Sequence, residues 1–211
     1  MLNPDTLRRS LAAHPLYDLP DFPGRSNDRG AGVLVPVFLG AEPYTALTLR
    51  PSSMRRHAGE VSFPGGLPEE GDADLIATAL REAHEEIDLT DATVLGRLST
   101  FPLYTSSHRL HPFLAVAAPQ PLVGQPSEVE QILRPSFAEI LGAPHIDSIP
   151  FEWEGGLLQS PIFEFDGAVV FGATAHVLLE VAAVVGASMG VAVPPRKPGK
   201  WVWGASRPER A

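Results

Sequence analysis

The chain has 211 residues, 44% hydrophobic and 19% charged, which excludes disorder, collagen and repeat arrays and fits one globular domain with short appendages. With 25 Asp and Glu against 16 Lys and Arg the formal charge is −9, which argues against a phosphate-coating surface and leaves any anionic ligand to local arginines or a metal ion. Cysteine is absent, so disulfides, thiolate metal sites and a cysteine nucleophile are excluded.

Met1 to Pro15 holds no apolar stretch of signal-peptide length, and a cytoplasmic location is expected. Asn3-Pro4 supplies a capping side chain and a first-turn proline ahead of Leu7 and Leu11, which predicts a short helix ending near His14-Pro15. The Pro- and Gly-rich stretch that follows is a connector, so residues 1–31 form a helix and linker ahead of the main domain. Strand-like runs at Gly32–Leu39 and Tyr44–Arg50 flank Gly40-Ala41-Glu42-Pro43 and read as a hairpin. A helix is predicted from about Ala73 to Ile87, strands near Thr93–Ser99, Leu110–Ala118 and Glu128–Leu133, and a helix over Ser136–Leu141. Asp166-Gly167, between Ile162–Phe165 and Ala168–Phe171, is the strongest short-range hairpin signal in the chain. A helix rich in Ala, Val and Leu covers Thr174–Val185. The apolar segment Val177–Val193 is shorter than the roughly 20 residues of a membrane span, contains Glu180 and is broken by Gly186 and Gly190, so it reads as a core helix. Residues 32–188 form the main domain, an α/β fold with a mixed sheet. Residues 189–211 form a Pro-rich tail, which is expected to be solvated or loosely packed because proline forbids regular helix or sheet.

On the wheel of the Ala73–Ile87 helix, Ile76, Leu80, Ala83 and Ile87 share a sector that can bury itself against a sheet. Glu82 and Glu86 then lie about 40° apart, with Glu85 on the neighbouring side, so three carboxylates are expected on the outer face. Like charges one turn apart repel and call for solvent, a cationic partner or a bound cation. Hard divalent ions such as Mg²⁺ and Mn²⁺ take oxygen ligands, and Mg²⁺ commonly uses one or two carboxylates while keeping waters and phosphate oxygens.

Ahead of this helix stand Phe63-Pro64-Gly65-Gly66 and then Asp72. The helix carries Arg81-Glu82-Ala83-His84-Glu85-Glu86 and ends at Asp88, where glycine is usual and which can take the left-handed cap conformation. The pattern resembles the Nudix box, a glycine, an acidic residue and an Arg-Glu-x-x-Glu-Glu helix in loop-helix-loop order. The interval from Gly66 to Arg81 is one residue longer than the commonest form of the box, as in a Nudix subgroup that hydrolyses coenzyme A. That subgroup's upstream signature also has counterparts here in Leu47-Thr48-Leu49-Arg50, Arg55, Gly59 and Phe63-Pro64-Gly65-Gly66, with Pro51 replacing a small residue. Val170-Phe171-Gly172-Ala173-Thr174-Ala175 is similar to a further stretch of the same subgroup, so the resemblance runs from about residue 32 to 186.

The resemblance implies a Nudix-type α/β/α sandwich and a metal-dependent attack of water on the diphosphate of coenzyme A or acyl-CoA, giving 3′,5′-ADP and (acyl-)4′-phosphopantetheine. It implies Mg²⁺ or Mn²⁺ held by Glu82 and Glu86, with Glu85 as a third ligand or a base acting through water, and Arg81 pairing with a box carboxylate. Glu128, Glu130 and Glu164 are further candidates for the base. Gly65 and Gly66 let the backbone approach a diphosphate and adopt positive φ. Arg50 and Arg55, in a cluster with Arg56 and His57, offer guanidinium forks to the phosphates. His108 and His111 point to opposite faces of an extended segment and are structural or rim residues. Phe63, Tyr104 and Trp153 are more at home in packing than stacked on adenine. Ser106-Ser107-His108 lacks a nucleophile elbow. The implied partner is a small molecule, with no nucleic acid and no membrane, and a homodimer stays open. The alternatives are a Nudix enzyme of another nucleoside diphosphate, such as ADP-ribose or NADH, and a non-catalytic nucleotide sensor.

Overall fold

A computed structural model describes residues 2–22, 24–54, 57–153, 156–204 and 207–210, with Trp153 by its backbone only. The chain begins with α1 (Pro4–Ala13), where the Asn3 side chain accepts the Thr6 N–H at 3.0 Å and the Asn3 N–H donates to the Thr6 hydroxyl at 3.3 Å, a capping box that starts the helix after one residue of extended backbone. Leu7 and Leu11 are its buried face.

β1 (Arg29–Phe38) is followed by β2 (Tyr44–Thr45), β3 (Leu47–Leu49), β4 (Val61–Ser62), β5 (Gly65–Gly66), α2 (Leu75–Ile87), β6 (Thr93–Arg97), β7 (Phe101–Pro102) and β8 (His108–Ala117). Then come β9 (Gln131–Leu133), α3 (Phe137–Gly142), β10 (Ile146–Trp153), β11 (Gly156–Phe165), β12 (Ala168–Val170), α4 (Gly172–Met189), β13 (Arg196–Pro198), β14 (Trp201–Trp203) and β15 (Pro208–Arg210).

The central sheet is mixed, in the order β2-β1-β8-β6, with β5 also on β1 and β7 also on β8. β1 and β8 are parallel from Arg29↔His108 to Phe38↔Ala117, and a parallel pair of this kind is covered on both faces. Along β1 the side chains alternate between two cores. Val33, Val35 and Val37 face a core shared with α1 and α4, whereas Leu34 and Phe38 face one shared with Ala79, Ala83 and Ile87 of α2. This is why the strand reads as an unbroken apolar run. Helices on both faces of a mixed sheet make the expected α/β/α sandwich, with roughly 2 kcal/mol contributed by each large apolar side chain taken fully out of water.

Three expectations change. The hairpin of β1 with the next strand lasts only two pairs, Val37↔Thr45 and Phe38↔Tyr44. Pro36 has no N–H for the next rung, and the chain turns away as β3, which pairs with β4 and β9 in a separate small sheet. β10 was not expected, because Pro150 interrupts its pattern, yet it pairs with β11 along its length. The tail is not loose: β13 adds to β10 in parallel and β14 pairs with β15, burying Trp201. Proline is compatible with an edge strand because it can still accept, as Pro195 does from the Ile146 N–H at 3.0 Å. The Asp166-Gly167 turn falls where expected, with both residues at positive φ between Phe165 and Ala168.

α4 is long and apolar enough to cross a membrane by length and composition. Here Val177, Leu178, Val181, Val184 and Val185 are buried in the core, and Glu180 accepts the Ser99 N–H at 3.0 Å and its hydroxyl at 2.8 Å.

Candidate active site

α2 is started by Asp74, whose carboxylate accepts the Ile76 and Ala77 N–H groups at 2.9 and 2.8 Å. It is ended by Asp88 in the left-handed conformation, φ 54°, with its N–H on the carbonyls of Ala83 and His84. The helix sits very close to β1, because a Cβ at Gly32 would collide with the Leu75 carbonyl. Ala79 and Ala83 face the sheet, and this close approach turns the helix so that Glu86 is carried inward with them. Glu86 is only 3% exposed, which corrects the expectation of three carboxylates on an outer face.

Gly65 and Gly66 form β5 against Val33 and Gly32. Neither is at positive φ, contrary to expectation. Their lack of a side chain serves close approach instead: a Cβ on Gly65 would strike the Gly32 carbonyl, and one on Gly66 would occupy the position of the Glu82 carboxylate. Glu82 is thereby packed against main chain at the loop, with its side chain 14% exposed.

Arg81 organises the outer flank. Its Nε and Nη2 donate to Asp72 at 3.2 and 3.1 Å, Nη2 also reaches the Leu67 carbonyl at 3.1 Å, and Nη1 lies 3.1 Å from Glu82 and 2.8 Å from Glu85. Asp72 also accepts the Glu69 N–H and the Thr78 hydroxyl, both at 2.9 Å. The Arg81 fork first, and then these donors, hold the Asp72 carboxyl down at about 2. Glu85, 55% exposed, shares the Arg81 Nη1 with Glu82 and is the most exposed of the three glutamates.

The inner pair is short of positive charge. Burial first, then repulsion from Glu82, pushes the Glu86 carboxyl up to about 8. The Arg50 charge and the Gly65 backbone N–H oppose the rise, and Glu128 adds to it. Glu82 is also shifted up, again mainly by burial, against the pull of Arg81. Glu86 Oε2 is buried without a hydrogen-bond partner, and so is Arg50 Nε. A hidden acceptor therefore lacks a cation and a hidden donor lacks an acceptor, and both groups bear on the same site. No three acidic or histidine side chains converge into a ready-made metal cage among the described residues. Two carboxylates suffice for Mg²⁺, which keeps waters and substrate oxygens around it, so the oxygen-only donor set of Glu82 and Glu86 fits a hard divalent ion.

The loop after β8 brings Glu128 to the site. Val123 and Gln125 donate their N–H groups to the Ile87 and Glu86 carbonyls at 3.1 and 2.9 Å, satisfying the open end of α2, and the Glu128 charge in this loop adds to the rise of both Glu82 and Glu86. This docking is carried by backbone groups and leaves no side-chain signal in the sequence. Of the other base candidates, Glu130 accepts the Ser52 N–H, and Glu164 pairs with Lys200 and Arg210 on the second sheet. Arg55, Arg56 and the Trp153 side chain lie outside the described residues. Phe63 is buried in the core, and Tyr104 packs edge-on to Phe22 with Arg25 over its ring. His111 is half-buried, and burial lowers its pKa.

The NUDIX domain family model matches residues 28–150. The chain is 34% identical over 164 residues to the uncharacterized Nudix hydrolase NudL of Yersinia pestis (strain Pestoides F), spanning 76% of this chain and 81% of the relative. The same figures hold for NudL of Yersinia pseudotuberculosis serotype O:1b (strain IP 31758). Among solved structures, a MutT/nudix family protein from Enterococcus faecalis superimposes with a TM-score of 0.50 at 11% identity, covering 90% of this chain and 80% of that one. With the box helix, its glycine loop and the mixed sheet beneath them all in place, this chain belongs to the Nudix hydrolases, enzymes that act on pyrophosphate bonds.

Proposed function

We propose that this Nudix hydrolase cleaves the diphosphate of coenzyme A or an acyl-CoA, releasing 3′,5′-ADP and (acyl-)4′-phosphopantetheine. The observation that carries this reading is Arg50. It ends the Leu47-Thr48-Leu49-Arg50 run, precedes Arg55 and Gly59 in the sequence, carries a buried, unpartnered Nε, and its charge opposes the rise of the Glu86 carboxyl. A guanidinium held in that state is matched by a phosphate oxygen.

Nudix hydrolases generally need divalent ions such as Mg²⁺. Glu82 and Glu86 would hold Mg²⁺ or Mn²⁺ here, which supplies charge neutralisation at the phosphates and makes water a better nucleophile. Arg81, anchored on Asp72, keeps Glu82 turned toward the loop. Glu85, whose Oε2 is held by Arg81, would serve as a third ligand or act through water. Glu128 is the preferred base, because its charge bears on both Glu82 and Glu86 while Glu130 and Glu164 hold other partners. Gly65 and Gly66 let β5 close onto Gly32 and onto the Glu82 carboxylate, which seats Glu82 at the loop.

The test compares wild-type turnover of coenzyme A, dephospho-coenzyme A and ADP-ribose. Preference for coenzyme A, reduced when the 3′-phosphate is missing, is the expected result. Equal rates on the first two would remove the arginine loop as a 3′-phosphate site, and a preference for ADP-ribose would replace the substrate.

A further inference from the structure

Glu130 stands outside the box helix, yet it grips the turn that carries Arg50 at two points. Its N–H donates to the Leu49 carbonyl at 2.8 Å, and its Oε2 accepts the Ser52 N–H at 3.2 Å. Arg50 lies between these anchors. From the opposite side, the Arg50 N–H donates to the Glu60 carbonyl at 3.0 Å, and its carbonyl accepts the Gly59 N–H at 3.1 Å.

The pairing of β3 with β9 places Leu49 opposite Gln131 and so fixes the main chain of Glu130 beside the turn. The ladder ends there, because Pro51 follows Arg50 and has no N–H. Ser52 offers the first backbone donor beyond Arg50, and the Glu130 carboxylate takes it. That bond closes the turn around a side chain whose Nε is buried without a partner.

We propose that Glu130 is a positioning residue: its carboxylate clamps the turn after β3 so that the Arg50 guanidinium is presented to a phosphate of the substrate. The proposal rests on the reading that Arg50 meets a substrate phosphate. It gives Glu130 a role different from that of a base, since a base needs a protonatable oxygen at the attacking water, whereas a clamp needs only an acceptor for the Ser52 N–H.

The difference sets the experiment. Steady-state kinetics are measured on coenzyme A and on ADP-ribose for wild type, Glu130→Ala, Glu130→Gln, Arg50→Ala and the Arg50→Ala/Glu130→Ala double variant, together with amide exchange at Ser52. Glu130→Ala is expected to lower kcat/KM about tenfold, chiefly through KM, while Glu130→Gln, which keeps an acceptor oxygen, stays within about twofold of wild type. Exchange at Ser52 should quicken in Glu130→Ala and be restored in Glu130→Gln. In the Arg50→Ala background the loss of Glu130 should add nothing further. Equal damage from Gln and Ala, or full additivity with Arg50→Ala, would overturn the clamp. The substrate assignment is scored separately by wild type: if ADP-ribose is preferred, coenzyme A falls, and the same cycle on ADP-ribose still decides the role of Glu130.

Discussion

Glu86 is buried more deeply than an unpaired carboxylate tolerates at no cost. Burial and the neighbouring Glu82 both disfavour its charge, and one of its oxygens has no partner. Replacing it by Gln removes the repulsion, so metal-free Glu86→Gln is expected to be more stable than wild type by on the order of 1–3 kcal/mol in urea unfolding while losing metal-dependent turnover. A destabilised variant would show that Glu86 is held by donors in the fold rather than by an ion. Arg81 acts at one remove, through its fork on Asp72 and its contacts to Glu82 and Glu85. Arg81→Ala is expected to weaken metal binding by about 10–100-fold, and Arg81→Lys to recover little of it because a single ammonium cannot reproduce the fork. At this scale the sequence is informative about residue types, since the Arg-Glu-x-x-Glu-Glu run names these side chains outright. It does not reveal which of them is buried. The wheel weighed Ile76 and Leu80 more heavily than Ala79, whereas the small alanines are what let the helix descend onto β1 and take Glu86 with them.

The glycines act at the scale of elements, by setting how closely one backbone approaches another. A methyl group at Gly66 would have to displace the Glu82 carboxylate, so Gly66→Ala is expected to keep the fold and lower kcat/KM about 100-fold, as a misplacement near 1 Å does. Gly32→Ala meets the rigid Leu75 carbonyl instead, and a loss of about 1–3 kcal/mol in stability is expected, read from the urea midpoint. If Gly66→Ala retained full activity, the seating of Glu82 against the loop would not matter to catalysis. The elements themselves were largely legible: α2, β1, β8 and the Asp166-Gly167 hairpin come from local periodicity and turn chemistry. β10 and the tail strands were not, because Pro150, Pro195 and Pro198 oppose strand formation locally, and only their position at turns or edges in the folded sheet makes them compatible with it.

Across the whole molecule, the box and its sheet rest on a second layer that the box pattern does not describe. α1, α4 and the sheet of β10 to β13 close the far side of β1 and β8, and they include a histidine with a measurable signature. His176 of α4 is packed near Phe101 and Ser160, and burial first, then the Arg196 charge, lowers its pKa from the ordinary 6.5 to about 4. Because the folded value lies below the unfolded one, the stability contributed by the neutral ring is complete above about 6.5 and is lost as pH falls through about 4, a total of roughly 3 kcal/mol. His176→Gln should therefore show a shallower fall in unfolding free energy than wild type over that interval, and parallel curves would contradict it. The Glu82 and Glu86 pair, seated against Gly65 and Gly66, would hold the ion on which diphosphate cleavage depends. A titration of metal-free protein with Mn²⁺, followed by electron paramagnetic resonance in wild type, Glu82→Gln and Glu86→Gln, tests this pair as the ion's holder. Tight uptake by wild type that is lost in both variants is expected, and undiminished binding in either variant would show that the ion is held elsewhere.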